Sequence, residues 1–262
     1  MLHVLSISTH ASTVTRTAEV LGVQLPAGYV EQVAAVDAIT AAAAQVTVTT
    51  EQLHNAVIAA IEAGKDYHKD AHVQRLALDR QLTSQNIGER ARIRADQLLS
   101  AALAEYADDI LEDWADALEP CSAALVAAAD AGLSNLRETA SVVAKGGENM
   151  AKLHHAQVAA NAWTAAVNGF YSLAVVSRVG YTGDVGVTIY TPARLAALEP
   201  AFTLARQENT DPDAWTLARC GIPLRFATLR HFMARAAQFN ADRQAAAADE
   251  ERRRKERILN TW

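Results

Sequence analysis

The chain is short of the residues that build turns, disulfides and thick aromatic cores. Among its 262 residues are 12 glycines, 6 prolines and 2 cysteines, and aromatic residues make up 6%. So few turn formers and rings disfavour a many-turned β fold. Cys121 and Cys220 lie far apart, with no CxxC pair and no Cys/His cluster around either, and read as buried thiols of a reducing compartment. No window approaches the ~20 apolar residues of a spanning helix, and Met1-Leu2-His3-Val4-Leu5 lacks a basic leader, so a cytoplasmic protein without membrane association is expected. There is no Gly-x-Ser-x-Gly elbow, no phosphate loop and no cysteine with an activating neighbourhood, which lowers the prior for an enzyme and leaves no cofactor expected. A formal charge of −6 argues against wholesale binding to a phosphate backbone, and nucleic acid is not the expected partner.

What is abundant is alanine, 56 residues of it. Alanine has the highest helix propensity and loses no side-chain entropy on ordering, so the composition predicts a mainly α protein of closely packed helices. The reading along the chain is an N-terminal segment over 1–25 with a short strand at 2–8, and an elongated antiparallel helical bundle over 26–168. A small β-hairpin over 169–191, a C-terminal helical subdomain over 192–248 and a charged tail over 249–262 follow. Pro26 suits the first turn of a helix carrying Val30, Val33, Val36 and Ile39. Thr50 stands where an N-cap would open a helix holding Leu53, Val57 and Ile61 and closed by Gly64, and another helix follows over 66–84.

The clearest periodicity lies between Glu89 and Glu119, where Leu99, Leu103, Tyr106, Ile110, Trp114 and Leu118 recur at steps of three and four on one face. This stripe is expected to pack in the bundle or across a subunit boundary. The opposite face holds Glu105, Asp108, Asp109, Glu112, Asp113, Asp116 and Glu119 with no Lys or Arg between them. Pro120 is expected to bend the rod and not to stop it. Further helices are expected over 133–145 and 148–168, with Gly146-Gly147 as the turn between them. Basic groups that suit the acidic face are Arg90, Arg92 and Arg94 just before it, and Arg252, Arg253, Arg254, Lys255 and Arg257 in the tail. Pairing of those groups between subunits would fix the register of an assembly more than its affinity. In the tail, apolar surface is left only at Ile258, Leu259 and Trp262.

Other constellations are weighed against blander readings. His68 and His72 stand one helical turn apart beside Asp66 and Asp70, but Lys69 occupies the place of a zincin glutamate and no third ligand is near, so a solvated face and no metal are expected. His154 and His155 point to different sides of their helix. Leu217-Ala218-Arg219-Cys220-Gly221-Ile222 followed by Thr228-Leu229-Arg230-His231-Phe232 looks like a helix-turn-helix, with Arg225 and Arg230 as the groove-facing cations. After Gly169, the β-branched runs around Val175-Val176 and Val185–Ile189, separated by Gly180, Gly183 and Gly186, predict the hairpin.

That stretch, Arg178-Val179-Gly180-Tyr181-Thr182-Gly183-Asp184-Val185-Gly186-Val187-Thr188-Ile189, is similar to the glycine-rich hairpin of folate-dependent aminomethyltransferases. In that family a Gly-Tyr-Thr-Gly-Glu stretch leads into a strand bearing a second glutamate; here Asp184 replaces the first acid and Thr188 stands in place of the second. The resemblance covers about a dozen residues and implies Tyr181 and Asp184 as ligand-facing, while the helical first half lacks the β-rich domain of such enzymes. In general plan, a long alanine-rich helical body ending in a basic helix resembles the scaffolding and head-assembly proteins of tailed bacteriophages. The leading expectation is a non-enzymatic assembly protein that forms homo-oligomers through its helices and engages a protein partner through its tail. The alternatives are a DNA-binding regulator using 214–235 and, after it, a folate-linked enzyme.

Overall fold

The computed structural model describes residues 6–137, 147–180 and 183–259. Among them are ten α-helices, one 3-10 helix and no strand. The helices are α1 (Ile7–Leu21), α2 (Ala27–Ala44), α3 (Thr50–Glu62), α4 (Ala71–Ser84), α5 (Ile87–Glu105), α6 (Ala107–Asp130), α7 (Gly147–Val176), α8 (Leu195–Glu208), α9 (Ala214–Arg219) and α10 (Leu229–Leu259), with the 3-10 segment Gly183–Ile189 between α7 and α8. The mainly α expectation therefore stands, and the β-hairpin does not. The chain divides into two compact units, Ala27–Leu103 on the one hand and residues 1–26 with 104–262 on the other, so the division falls inside the expected 26–168 bundle.

Within Ala27–Leu103, α3 packs on α4. Thr49 opens α3 one residue earlier than the expected Thr50, in a reciprocal capping box: its hydroxyl accepts from Gln52 N at 3.2 Å, and its own N–H donates to Gln52 Oε1 at 2.9 Å. Residues 66–70 form turns, and α4 starts at Ala71 behind Asp70, which accepts from His72 N and Val73 N. In α2 the stripe spaced by three drifts round the helix, so Val36 is buried while Val30 is half exposed; Tyr29 takes the buried position. Half-exposed apolar side chains recur through this unit, at Val30, Ile58, Ile61, Leu78 and Ile93.

The second unit is built round α7. Ser6 caps α1, accepting from Thr9 N, and Gly22 ends it in the left-handed region at φ 67°, so helix replaces the expected strand over the described part of 2–8. Helices α1 and α6 pack on α7, α9 reaches both α6 and α7, and α10 packs on the 3-10 segment, α6 and α8. At Gly169 the three long helices approach so closely that a Cβ would lie 2.4 Å from Trp114 Cζ3 and 2.9 Å from Thr17 Oγ1. Thr17 donates its hydroxyl to the Ala165 carbonyl at 3.1 Å, fastening α1 to α7 one turn earlier. Trp114 is fully buried in this notch.

The hairpin reading fails for a physical reason. Helix α7 runs on to Val176, and over its last turns the outward positions are the half-buried Tyr171 and the exposed Val175, neither of them charged, while Phe170, Leu173, Ala174 and Val176 are buried. An outward face without charged residues shows little polar period, and a short apolar run of that kind cannot be told from a strand by pattern. With the first strand absorbed into α7, Gly183–Ile189 has no sheet partner and winds into 3-10 turns, Thr188 Oγ1 donating to the Val185 carbonyl at 2.8 Å. Its last carbonyls accept from the extended strap before α10: Arg225 N to Tyr190 O at 2.7 Å and Ala227 N to Ile189 O at 3.0 Å.

The periodic rod of 89–119 divides at Tyr106 into α5 and α6, and α6 runs through Pro120 to Asp130, as expected of that proline. Leu99, Leu103, Ile110, Trp114 and Leu118 are buried and Tyr106 half-buried, so the stripe packs within the chain. Residues 133–137 are not helical, and most of the expected helix 133–145 lies outside the described residues.

Two outcomes follow from this core. Gly169→Ala is expected to lower stability by about 1–3 kcal/mol, the usual cost of overpacking, read as a lower urea midpoint with unchanged slope; a midpoint within error of the parent would show that the notch is not tight. His10 is buried on α1, its Nδ1 has no hydrogen-bond partner among the described residues, and burial lowers its pKa below 6.5. The unfolded chain therefore takes up the proton first, and the contribution present above pH 6.5 falls away as the pH drops through that value. The stability lost between pH 7.5 and 5.5 should be smaller in His10→Gln than in the parent, as measured by urea denaturation.

Candidate acidic interface and charged helical arm

The acidic face of α6 and the start of α10 meet. The first backbone N–H groups of α10 have no acceptor within their own helix, and the positive end of the helix dipole is concentrated there. Asp108, 121 residues away in sequence, supplies the missing acceptor: its Oδ1 accepts from Leu229 N at 2.7 Å and Arg230 N at 3.4 Å. Thr228 Oγ1 takes the next donor, His231 N, at 3.2 Å. Arg230 completes the arrangement, with Nε 3.6 Å from Asp108 Oδ2 and Nη2 3.9 Å from Glu112 Oε1. Sequence reasoning found both the acidic face and Arg230 but not their pairing, which no local signal announces.

Beyond Glu112 the same face continues along a cleft of about 580 Å³, whose walls include Glu112, Asp116 and Glu119 from α6 and Arg225 and His231 from the strap and α10. The seven expected acids thus divide, Glu119 lining the cleft beside Asp116. Asp108 and Glu112 serve α10, Asp116 lines the cleft, and Asp109 and Asp113 are exposed, as is Glu105 at the end of α5.

Arg225 is exposed, and its carbonyl accepts from Arg235 Nη1 at 2.8 Å, while the same Nη1 reaches Thr188 O at 3.1 Å. Burial, with Arg225 adding repulsion, pushes Arg235 down to about 10, still protonated at neutral pH. The element that resembled a helix-turn-helix differs from that motif, whose turn is ~3–4 residues long. Here α9 has six residues, and the whole of 220–228 separates it from α10. Arg230 is held by carboxylates where a DNA contact would have to form.

Helix α10 is anchored over its first half by the buried Leu229, Phe232 and Phe239. Further along, Asp242 takes a two-pronged contact from Arg194 (Nε to Oδ2 at 2.7 Å, Nη2 to Oδ1 at 2.6 Å) and a further bond from Gln238 at 2.8 Å. The Arg194 hydrogen bond, with those from Gln238 and Leu195 N, holds the Asp242 carboxyl down at about 2. From Arg243 to Arg257 every residue is exposed, yet the helix continues. The expected tail of 249–262 is therefore the end of a helix that begins at Leu229. Arg252 pairs with Asp249, and Lys255 Nζ lies 2.7 Å from Glu251 Oε1, each along the arm itself. Arg253 and Arg254 are exposed. Trp262 lies outside the described residues.

The histidines read as a helical pair are separated by structure: His68 sits in the turns before α4, and His72 in its first turn. Among the described residues no group of three His, Cys, Asp or Glu could hold a metal ion, and no helix is long and apolar enough to cross a membrane. Cys121 and Cys220 are free and half-buried, and burial pushes both thiols up. Asp184 lies on the 3-10 segment and not on a strand, and Tyr181 lies outside the described residues. Comparison with family models, curated proteins and solved structures finds no match.

Removing the acceptor at Asp108 should cost about 0.5–2 kcal/mol in Asp108→Ala, the range for a lost helix cap, while Arg230→Ala, whose partner is solvent-screened, should cost under ~1 kcal/mol. Equal losses in urea melts of the two variants would show that the ion pair, and not the cap, holds α10.

Proposed function

We propose that this chain is a non-enzymatic assembly protein that associates with copies of itself and engages a protein partner through the charged arm of α10. The observation that carries the reading is the arm's exposure. Residues 243–257 span about 22 Å at 1.5 Å per residue, and every one of them is exposed. Helices of this length draw most of their stability in proteins from packing one face, and pairs three or four residues apart add only ~0.2–0.5 kcal/mol each. A helix built to project, with four alanines at 245–248 followed by alternating blocks of acid and base, fits a surface that acquires its packing from another chain. The half-exposed Val30, Ile58, Ile61, Leu78 and Ile93 of Ala27–Leu103 supply apolar surface of the kind a self-associating protein uses. The plan resembles that of phage scaffolding and head-assembly proteins, and an assembly of that class is the reading we favour.

Light scattering on the full chain at micromolar concentration is expected to give a mass above 28.1 kDa at low salt. Replacing Arg252, Arg253 and Arg254 together with glutamate should lower that mass or shift its salt dependence without moving the melting temperature. A monomer at every salt concentration with the arm intact would refute self-association.

A further inference from the structure

A second groove, remote from the acidic face of α6, has its own chemistry. It encloses about 560 Å³ where the outer face of α7, the 3-10 segment, α8 and the loop before α9 converge. That size falls within the roughly 300–1,000 Å³ typical of small-molecule sites. Asn168 and Tyr171 enter from α7, Asp184 and Tyr190 from the 3-10 segment and its end, Phe202 from α8 and Asp211 from the loop.

Three features of the lining point the same way. First, no Lys, Arg or His is among the described residues that line it, and neither Asp184 nor Asp211 has an ion-pair partner among the described residues. Two carboxylates in one groove without a compensating cation leave a negative field that favours a positive guest. Second, aromatic surface is provided by Tyr171, Tyr190 and Phe202, and ring faces attract cations and pack apolar bodies. The Tyr190 ring is fixed by stacking on Trp163, centroids 5.6 Å apart at 22°. Burial above all, with Tyr171, Asp213 and Asp211 adding to it, holds the Tyr190 phenol well above its usual range, so it stays a neutral O–H at physiological pH. Third, Gly186 seats one of those rings: a Cβ there would come within 3.2 Å of the Tyr171 hydroxyl, so glycine lets that phenol lie against the 3-10 segment as part of the wall.

We propose that this groove binds a small organic cation, an ammonium carried on an aromatic or alkyl body, with Asp184 and Asp211 holding the charge and Tyr171, Tyr190 and Phe202 enclosing the body. An anion is disfavoured by the carboxylates, and a hydrated metal ion would make no use of the rings. The guest is therefore an amine of modest size and not an inorganic ion.

Calorimetric titration and thermal melts of the full chain with phenethylammonium, tyramine and agmatine test this, with 3-phenylpropanoate as the anionic counterpart and sodium chloride at matched ionic strength. At least one of the three amines is expected to bind saturably and raise the melting temperature, while 3-phenylpropanoate and sodium chloride do not. Asp184→Asn combined with Asp211→Asn should weaken that amine by at least ~10-fold, about 1.4 kcal/mol, with the melting temperature in buffer unchanged because both side chains are exposed. Gly186→Ala, which keeps both carboxylates and fills the space beside Tyr171, should weaken it as well. Failure of all three amines to bind at millimolar concentration, equal binding of 3-phenylpropanoate, or undiminished amine affinity in the double variant would each overturn the assignment.

Discussion

The residue on which the second unit depends is Gly169. It is a helix residue in the middle of α7, where glycine costs propensity, and it is there because the indole of Trp114 occupies the space a methyl group would take. The missing side chain lets α6 come within contact of the α7 backbone while Thr17 from α1 closes the third side. Alanine does the same work elsewhere on α7, at 156, 159, 162, 166 and 174, all buried. A chain with 56 alanines and few rings builds its core in this way, by bringing backbones close and reserving each large side chain for one prepared recess.

Around that notch, the rest of the unit is secured by long-range polar contacts to backbone ends. Asp108 finishes α10, the strap at 225–227 finishes the 3-10 segment, and Arg235 ties Thr188 and Arg225 together through their carbonyls. In each case an unsatisfied backbone group is met by a partner distant in sequence. The aromatic cluster beneath them, Trp163 with Tyr190 and Phe226, and Phe170 with Phe226 and Phe232, joins α7 to the strap and α10 at centroid distances of 5.2–6.1 Å.

How much of this was legible in the sequence varies with the kind of signal. Amphipathic periodicity located α6 and its buried residues Ile110, Trp114 and Leu118, because one face meets the core and the other meets water. Local capping chemistry was legible in kind at α3, where Thr49 caps in place of its neighbour Thr50. Two features defeated pattern reading. The uncharged outer face of α7 at Tyr171 and Val175 blunted its period, so Val175 and Val176 looked like strand and Gly169 like a boundary. The capping of α10 joins residues 121 positions apart, and Asp108 in the sequence is one acid among seven. Of the candidate sites, the acidic face and the charged end of the chain were legible from composition alone. The groove at Tyr171 and Tyr190 was not, since four separate segments build it and only the stretch around Asp184 drew notice, as part of a supposed hairpin.

Helix α10 contains neither glycine nor proline from Leu229 to Leu259, so nothing in it serves as a hinge. Its outer half is consequently a rigid lever whose fulcrum is the Arg194–Asp242 clamp and whose short end carries Phe239 and Phe232. A load applied near residue 257 is delivered as torque to those two rings and, through Arg235, to the 3-10 segment. A body that gripped the outer half would thereby hold the inner packing as well.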